Sequence, residues 1–262
     1  MQTAYDLWQK LPTILPTGSP NIDRLLHGGF RQGLLHEICG EASSGKTQLC
    51  LQLLLQMCLE DEAACYVSTE GIGSIKRLHE LAGIYADRHA FALKKRRRGF
   101  TGDTQSGSKF FLDRIFIEHI YEIDELIGLL QSRLPSLLTQ KQVTLVVIDS
   151  IAALFRPEST KSIQDVSERA RLMFQIANSI KILCGRYNVV FIVTNQVSSI
   201  FEPNSRENRF KPALGLSWSN CIHQRLVLSR DADTEERHVK VAFSPYIPQT
   251  RATFSITQEG VF

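Results

Sequence analysis

The sequence has no apolar run long enough to cross a membrane. Its richest stretch, Leu49 to Leu59, is interrupted by Gln52 and Gln56, short of the ~18 uninterrupted residues a span requires. Neither charge is in marked excess. Thirty Lys and Arg against 27 Asp and Glu leave +3 over 262 residues, too little to argue alone for a nucleic-acid or membrane partner. None of the six cysteines stands in a Cys-x-x-Cys pair, so a zinc site gains no support. Thiols inside apolar runs read as small buried groups of a reducing, intracellular compartment. The opening MQTAYDLWQK lacks the basic-then-apolar order of an export signal, which points away from secretion. No internal repeat and no second domain are evident. An apolar fraction of 43% and a charged fraction of 22% exclude a mainly disordered, collagenous or coiled-coil chain.

What is present is an alternation of apolar strands and helices. Residues 1–20 form an extended leader punctuated by Pro12, Pro16, Gly18 and Pro20, and residues 21–262 form one α/β domain. GLLHEIC (33–39), AACYVS (63–68), RIFIEHI (114–120), VTLVVIDS (143–150) and NVVFIVTNQ (188–196) read as strands. Between them lie helical stretches, among them TQLCLQLLLQMCL (47–59), which is apolar nearly all round. Strands this apolar imply a mainly parallel sheet covered by helices on both faces. QRLVLS, HVKVAF and ATFSIT alternate in polarity near the C-terminus and predict an antiparallel extension. Residues 92–109, with five consecutive basic residues at 94–98, read as a mobile surface insertion.

One motif carries chemistry by itself. Gly40, Glu41, Ala42, Ser43, Ser44, Gly45, Lys46 and Thr47 match G-x-x-x-x-G-K-[ST] between a predicted strand and a predicted helix, the context that motif needs. Glycines let backbone N–H groups turn inward around phosphate oxygens, and the helix start adds its free N–H groups and positive dipole end. Lys46 is placed to reach the β and γ phosphates, and Thr47 to offer a hydroxyl to magnesium. Asp149 ends an apolar strand, where a magnesium-side carboxylate belongs, although strand-end Asp residues also cap helices. Glu70, after YVST, could polarise an attacking water or merely cap the next helix. Gln196 ends another strand, where it could sense the γ phosphate or simply be solvated.

Phosphate loop, Glu70, Asp149 and TNQV in this order resemble the RecA-like recombinase ATPases, closest to their eukaryotic strand-exchange branch. GSPNIDRLLHGGF, GEASSGKTQLCLQL, YVSTEG, LVVIDSIAALFR, VFIVTNQV and PALG align with that branch from about Leu15 to the C-terminus. RIFIEHI, IDSIAALFR, PALGLSWSN and SITQEGV resemble one of its paralogue subfamilies. The resemblance implies a RecA-like core binding ATP and Mg2+, with Gln48 joining the phosphate loop and Arg77 packing on the adenine. It implies catalytic roles for Glu70, Lys46 and Gln196, and metal ligation by Thr47 and Asp149. It implies single-stranded DNA contacts from Arg156, Lys161, Arg169, Arg206, Arg209 and Lys211. It further implies a weak, DNA-dependent ATPase in the nucleus, also present in the cytoplasm, supporting homologous recombination and double-strand break repair. Its partners would be a related paralogue subunit in a heterodimer, a strand-exchange recombinase and single-stranded or branched DNA. The alternative is a non-hydrolysing module in which nucleotide only locks a protein interface. Three departures stand out. Phe243 replaces a usual acidic residue before Ser-Pro, Asn220 replaces a nucleotide-sensing His, and the small helical N-terminal domain has no counterpart. Pro248 matches the segment that caps a neighbour's nucleotide.

Overall fold

Strands buried on both faces leave no face for water, and the sheet they form is covered on both sides. The computed structural model describes residues 3, 5, 13–96, 104–155, 163–200, 209–231, 234 and 236–262. The elements are β1 (Ile14–Leu15), α1 (Pro20–Leu25), β2 (Phe30–Arg31), β3 (Leu35–Gly40), α2 (Lys46–Leu59), β4 (Ala63–Ser68) and α3 (Gly73–Arg88). Then come α4 (Ala90–Arg96), α5 (Thr104–Leu112), β5 (Ile115–His119) and α6 (Ile123–Gly128), which continues through a π turn into α7 (Leu134–Gln140). After β6 (Val143–Asp149) follow α8 (Ile151–Leu154), α9 (Ile163–Tyr187), β7 (Val190–Ile200), β8 (Arg209–Pro212) and α10 (Gly215–Ser219). The chain closes with β9 (Gln224–Arg230), β10 (Arg237–Phe243), β11 (Arg251–Phe254), β12 (Ile256–Thr257) and β13 (Gly260–Val261).

The sheet runs β11-β10-β9-β3-β7-β6-β4-β5, with β8 paired to β7 beside it. From β9 to β5 the pairings are parallel, and β9-β10-β11 is antiparallel as expected. Alternate residues of one strand serve opposite cores. Tyr66, Val147 and Ile192 face α2 and α3, whereas Val67, Val146 and Val193 face α9 and α10. That two-sided burial is why these strands read as unbroken apolar runs. All six cysteines are free and buried. Among the described residues no helix is long and apolar enough to cross a membrane.

Two segments differ from the sequence reading. Both ends of the polar stretch 92–109 are helical, in α4 and α5. Gly107 and Ser108 are buried there, because α5 docks through Phe110 and Phe111 onto the core beside α3. Lys94 and Lys95 are exposed, and the middle of the stretch lies outside the described residues. The strand read as 188–196 runs on past Gln196, as β7 to Ile200, paired with β8. The leader's last residues belong to the fold: Leu15 is buried and pairs with Phe30.

Candidate functional site

β3 ends at Gly40, in register with Gln196 of β7 on one side and Leu228 of β9 on the other. A Cβ on Gly40 would lie 2.3 Å from the Leu228 carbonyl oxygen, so only glycine fits. Gly45 has φ +111°, and a Cβ there would lie 2.6 Å from Ile256 Cδ1. It caps α2, whose first turn carries Lys46 and Thr47 and has free N–H groups. Glu41 is half-buried, Ala42 and Ser43 form the exposed tip, and Ser44 Oγ is buried without a hydrogen-bond partner among the described residues. Lys46 Nζ donates to the Gly40 carbonyl at 2.8 Å and the Glu41 carbonyl at 2.6 Å. Burial lowers its pKa, and nearby Asp149 opposes that shift. The loop is therefore a donor-rich cradle with a partly desolvated ammonium, a built environment for phosphate.

Asp149 is the polar centre beside it. Its Oδ2 accepts from Thr47 Oγ1 at 2.8 Å and from the Tyr66 hydroxyl at 2.9 Å. Its Oδ1 accepts from Thr194 Oγ1. Burial first, then the Asp149 charge, pushes the Tyr66 hydroxyl pKa upward, so Tyr66 remains a donor. Sequence reasoning missed Tyr66 and Thr194. The available signal was a hydroxyl inside each apolar stretch, two residues before the end of the strand read from sequence, at Ser68 and Gln196.

Glu70 and Gln196 come from strands on either side of β6, and their side chains meet. Gln196 Nε2 donates to Glu70 Oε1 at 3.0 Å. The turn holding Glu70 is fixed by Thr69, whose Oγ1 donates to the Ser150 carbonyl at 2.7 Å and accepts from Ser150 N at 2.9 Å. Arg77 of α3 donates through Nε to Gln48 Oε1 at 3.1 Å, and through Nη2 to the carbonyls of Thr257 and Gln258 at 3.2 and 2.9 Å. A cavity of about 490 Å³ lies between the phosphate loop, Arg77 and those C-terminal residues. A second, of about 310 Å³, lies between Thr47, Glu70 and Asp149. Both fall in the size range of small-molecule sites.

The structure thus brings the loop, Gln48, Arg77, Asp149, Glu70 and Gln196 together. It sets Arg169 on α9 and exposed Lys211 on β8, where Lys211 faces Ser198 across the hairpin. Arg156, Lys161 and Arg206 lie outside the described residues, as does the Arg209 side chain. Asn220 is exposed at the end of α10, and Pro248 is exposed after β10. Phe243 lies under the Arg225 guanidinium, whose centre is 5.3 Å from the ring. Arg225 Nε donates to the fully buried Glu37, which also accepts from Asn195 Nδ2 at 2.8 Å and Trp218 Nε1 at 2.9 Å. Sequence reasoning missed this buried network.

A family model described as Rad51 matches residues 10–262. The DNA repair protein XRCC3 homolog of Arabidopsis thaliana is 28% identical over 94% of this chain and 92% of its own length. DNA repair protein XRCC3 of Bos taurus is 30% identical, over 94% and 74%. DNA repair protein RAD51 homolog 2 of Homo sapiens is 27% identical, over 100% and 73%.

Proposed function

Since the chain belongs to the Rad51 family, we propose that it is an ATP-binding paralogue subunit acting in homologous recombination and in DNA repair, the second being the work its relatives' names give. It would act in the nucleus, paired with a related paralogue, and support a recombinase filament on single-stranded DNA. The observation that carries this reading is the Gln196–Glu70 hydrogen bond at 3.0 Å. Gln196 touches the candidate water-orienting carboxylate with its side chain. Its own carbonyl accepts from Ala213 N at 2.9 Å, at the root of the β7–β8 hairpin that carries Lys211.

In this reading phosphate oxygens draw Lys46 Nζ away from the Gly40 and Glu41 carbonyls, and α2 supplies N–H donors to the same oxygens. Magnesium, held by Thr47 Oγ1 and Asp149, would supply charge neutralisation for the β and γ phosphates. Tyr66 and Thr194 hold Asp149 in place. Arg77 presents its guanidinium face at the cavity where a purine would stack. Glu70 orients water, and Gln196 reports its state to the hairpin. Arg169 and Lys211, with Arg156, Lys161, Arg206 and Arg209, would meet DNA phosphates.

The engaged Glu70 also suits a second reading, in which the carboxylate is occupied by Gln196 and nucleotide acts only to lock a paralogue interface. Steady-state hydrolysis with and without the partner separates the two. The site itself is tested by Lys46→Ala, which should weaken nucleotide binding at least about tenfold with an unchanged melting temperature. Equal affinity would refute the assignment.

A further inference from the structure

Arg237 opens β10 directly beside the phosphate loop, and the geometry points to its guanidinium as a further ligand for the nucleotide's phosphate chain. The inference rests on the reading of residues 40–47 as a nucleotide site and adds a residue to it. Arg237 pairs in register with Phe254 of β11. The Phe254 ring lies 3.4 Å from where a Gly45 Cβ would stand, so the start of β10 is held against the loop. Arg237 lines the same 490 Å³ cavity as Ser43, Lys46, Thr47 and Arg77.

The residues lining that cavity include three cations and no carboxylate. Lys46 is turned onto two carbonyl oxygens, and Arg77 onto Gln48, Glu80 and two further carbonyls. Arg237 is half-buried, and its Nε is fully buried with no hydrogen-bond partner among the described residues. The adjacent Glu236 does not serve it and lies 3.8 Å from His238 instead. A half-desolvated guanidinium without an oxygen is unfavourable until an anion reaches it. Its planar fork suits two phosphate oxygens at once, which an ammonium cannot match. The ligand class is a nucleoside di- or triphosphate, bound between Lys46 on the helix side and Arg237 on the sheet side.

The test is calorimetric titration of the full chain with magnesium ADP, comparing wild type, Lys46→Ala, Arg237→Gln and Arg237→Lys, with melting temperatures taken without nucleotide. Arg237→Gln should bind ADP about tenfold more weakly at an unchanged melting temperature. Arg237→Lys, which keeps the charge and loses the fork, should fall between it and wild type. Wild-type ADP affinity in Arg237→Gln, with Lys46→Ala impaired, would overturn the assignment of Arg237 alone. Undiminished binding in Lys46→Ala would overturn the site on which it rests. Should Arg237→Gln fold poorly, wild-type affinity in Arg237→Lys would count against the proposal. Loss of labelled single-strand binding at full ADP affinity would show that the guanidinium faces a DNA backbone instead, and would also overturn it.

Discussion

Asp149 accepts hydrogen bonds from α2, β4 and β7 at once, through Thr47, Tyr66 and Thr194, so its orientation is set before any ligand arrives. Glu70, by contrast, is exposed, and its Oε1 accepts from the Gln196 amide. Glu70→Gln keeps an oxygen for Gln196 and removes only the carboxylate charge. It should bind ATP as the parent does and hydrolyse it at least about a hundredfold more slowly if Glu70 is the base. Phosphate release at saturating ATP is the assay, and a parental rate would reassign Glu70 to a purely structural part. A second residue-scale expectation concerns pH. His36 is fully buried, its Nε2 2.9 Å from the Arg31 carbonyl and its Nδ1 2.7 Å from the Gln224 side-chain amide. Burial lowers its pKa from 6.5 to about 4. Between those values the unfolded chain takes up the proton and the folded chain does not. Stability should therefore be full above 6.5 and fall as pH drops toward 4. Urea midpoints at pH 7 and pH 5 should differ, and His36→Gln should narrow the difference. His89 and His223, lowered by burial in the same direction, leave part of it.

At the scale of elements, the parallel core was legible because β4, β6 and β7 are buried on both faces and so carry no polar alternation to confuse them. The helix after the phosphate loop was legible for the same reason. β8 and α10 were not, because RFKP and GLSWS carry neither period and depend on tertiary pairing to β7 and on Trp218 reaching Glu37. The phosphate loop was visible as a contiguous motif. Tyr66, Thr194 and Arg237 were not, since their relation to it exists only across the sheet. The buried Glu37 network gives an element-scale prediction. Trp218→Phe keeps an aromatic ring but removes the Nε1–H that Glu37 accepts at 2.9 Å together with part of a fully buried indole, leaving a buried carboxylate short of a donor beside a small cavity. The loss should be about 1–3 kcal/mol, read as a lowered urea midpoint at unchanged slope. A neutral result would mean that Arg225 and Asn195 satisfy Glu37 alone.

For the whole molecule, Thr17, near the start of the fold, and Val261, in its last strand, both bond to α2. Gln52, buried within α2, donates to the carbonyls of Thr17 and Val261 at 3.0 and 2.9 Å and accepts from Val261 N at 2.7 Å. The C-terminal β12–β13 hairpin is thereby fixed as one wall of the cavity beside the phosphate loop, with Arg77 bonded to its turn. The opposite face of the design, where an acidic residue would serve a neighbour's nucleotide, instead has Phe243 against Arg225. Under the proposed function, that asymmetry would suit a heterodimer, with this chain's nucleotide covered by its partner, better than a homopolymer. In the proposed function, nucleotide at residues 40–47 controls the hairpin that begins at Gln196. The decisive experiment is fluorescence anisotropy of a labelled single strand with the chain and its copurified paralogue, in ATP and in ADP. Binding should be tighter in ATP, and Lys46→Ala and Gln196→Ala should each abolish the difference. DNA affinity indifferent to the nucleotide, or an ATP effect that survives both substitutions, would contradict that control.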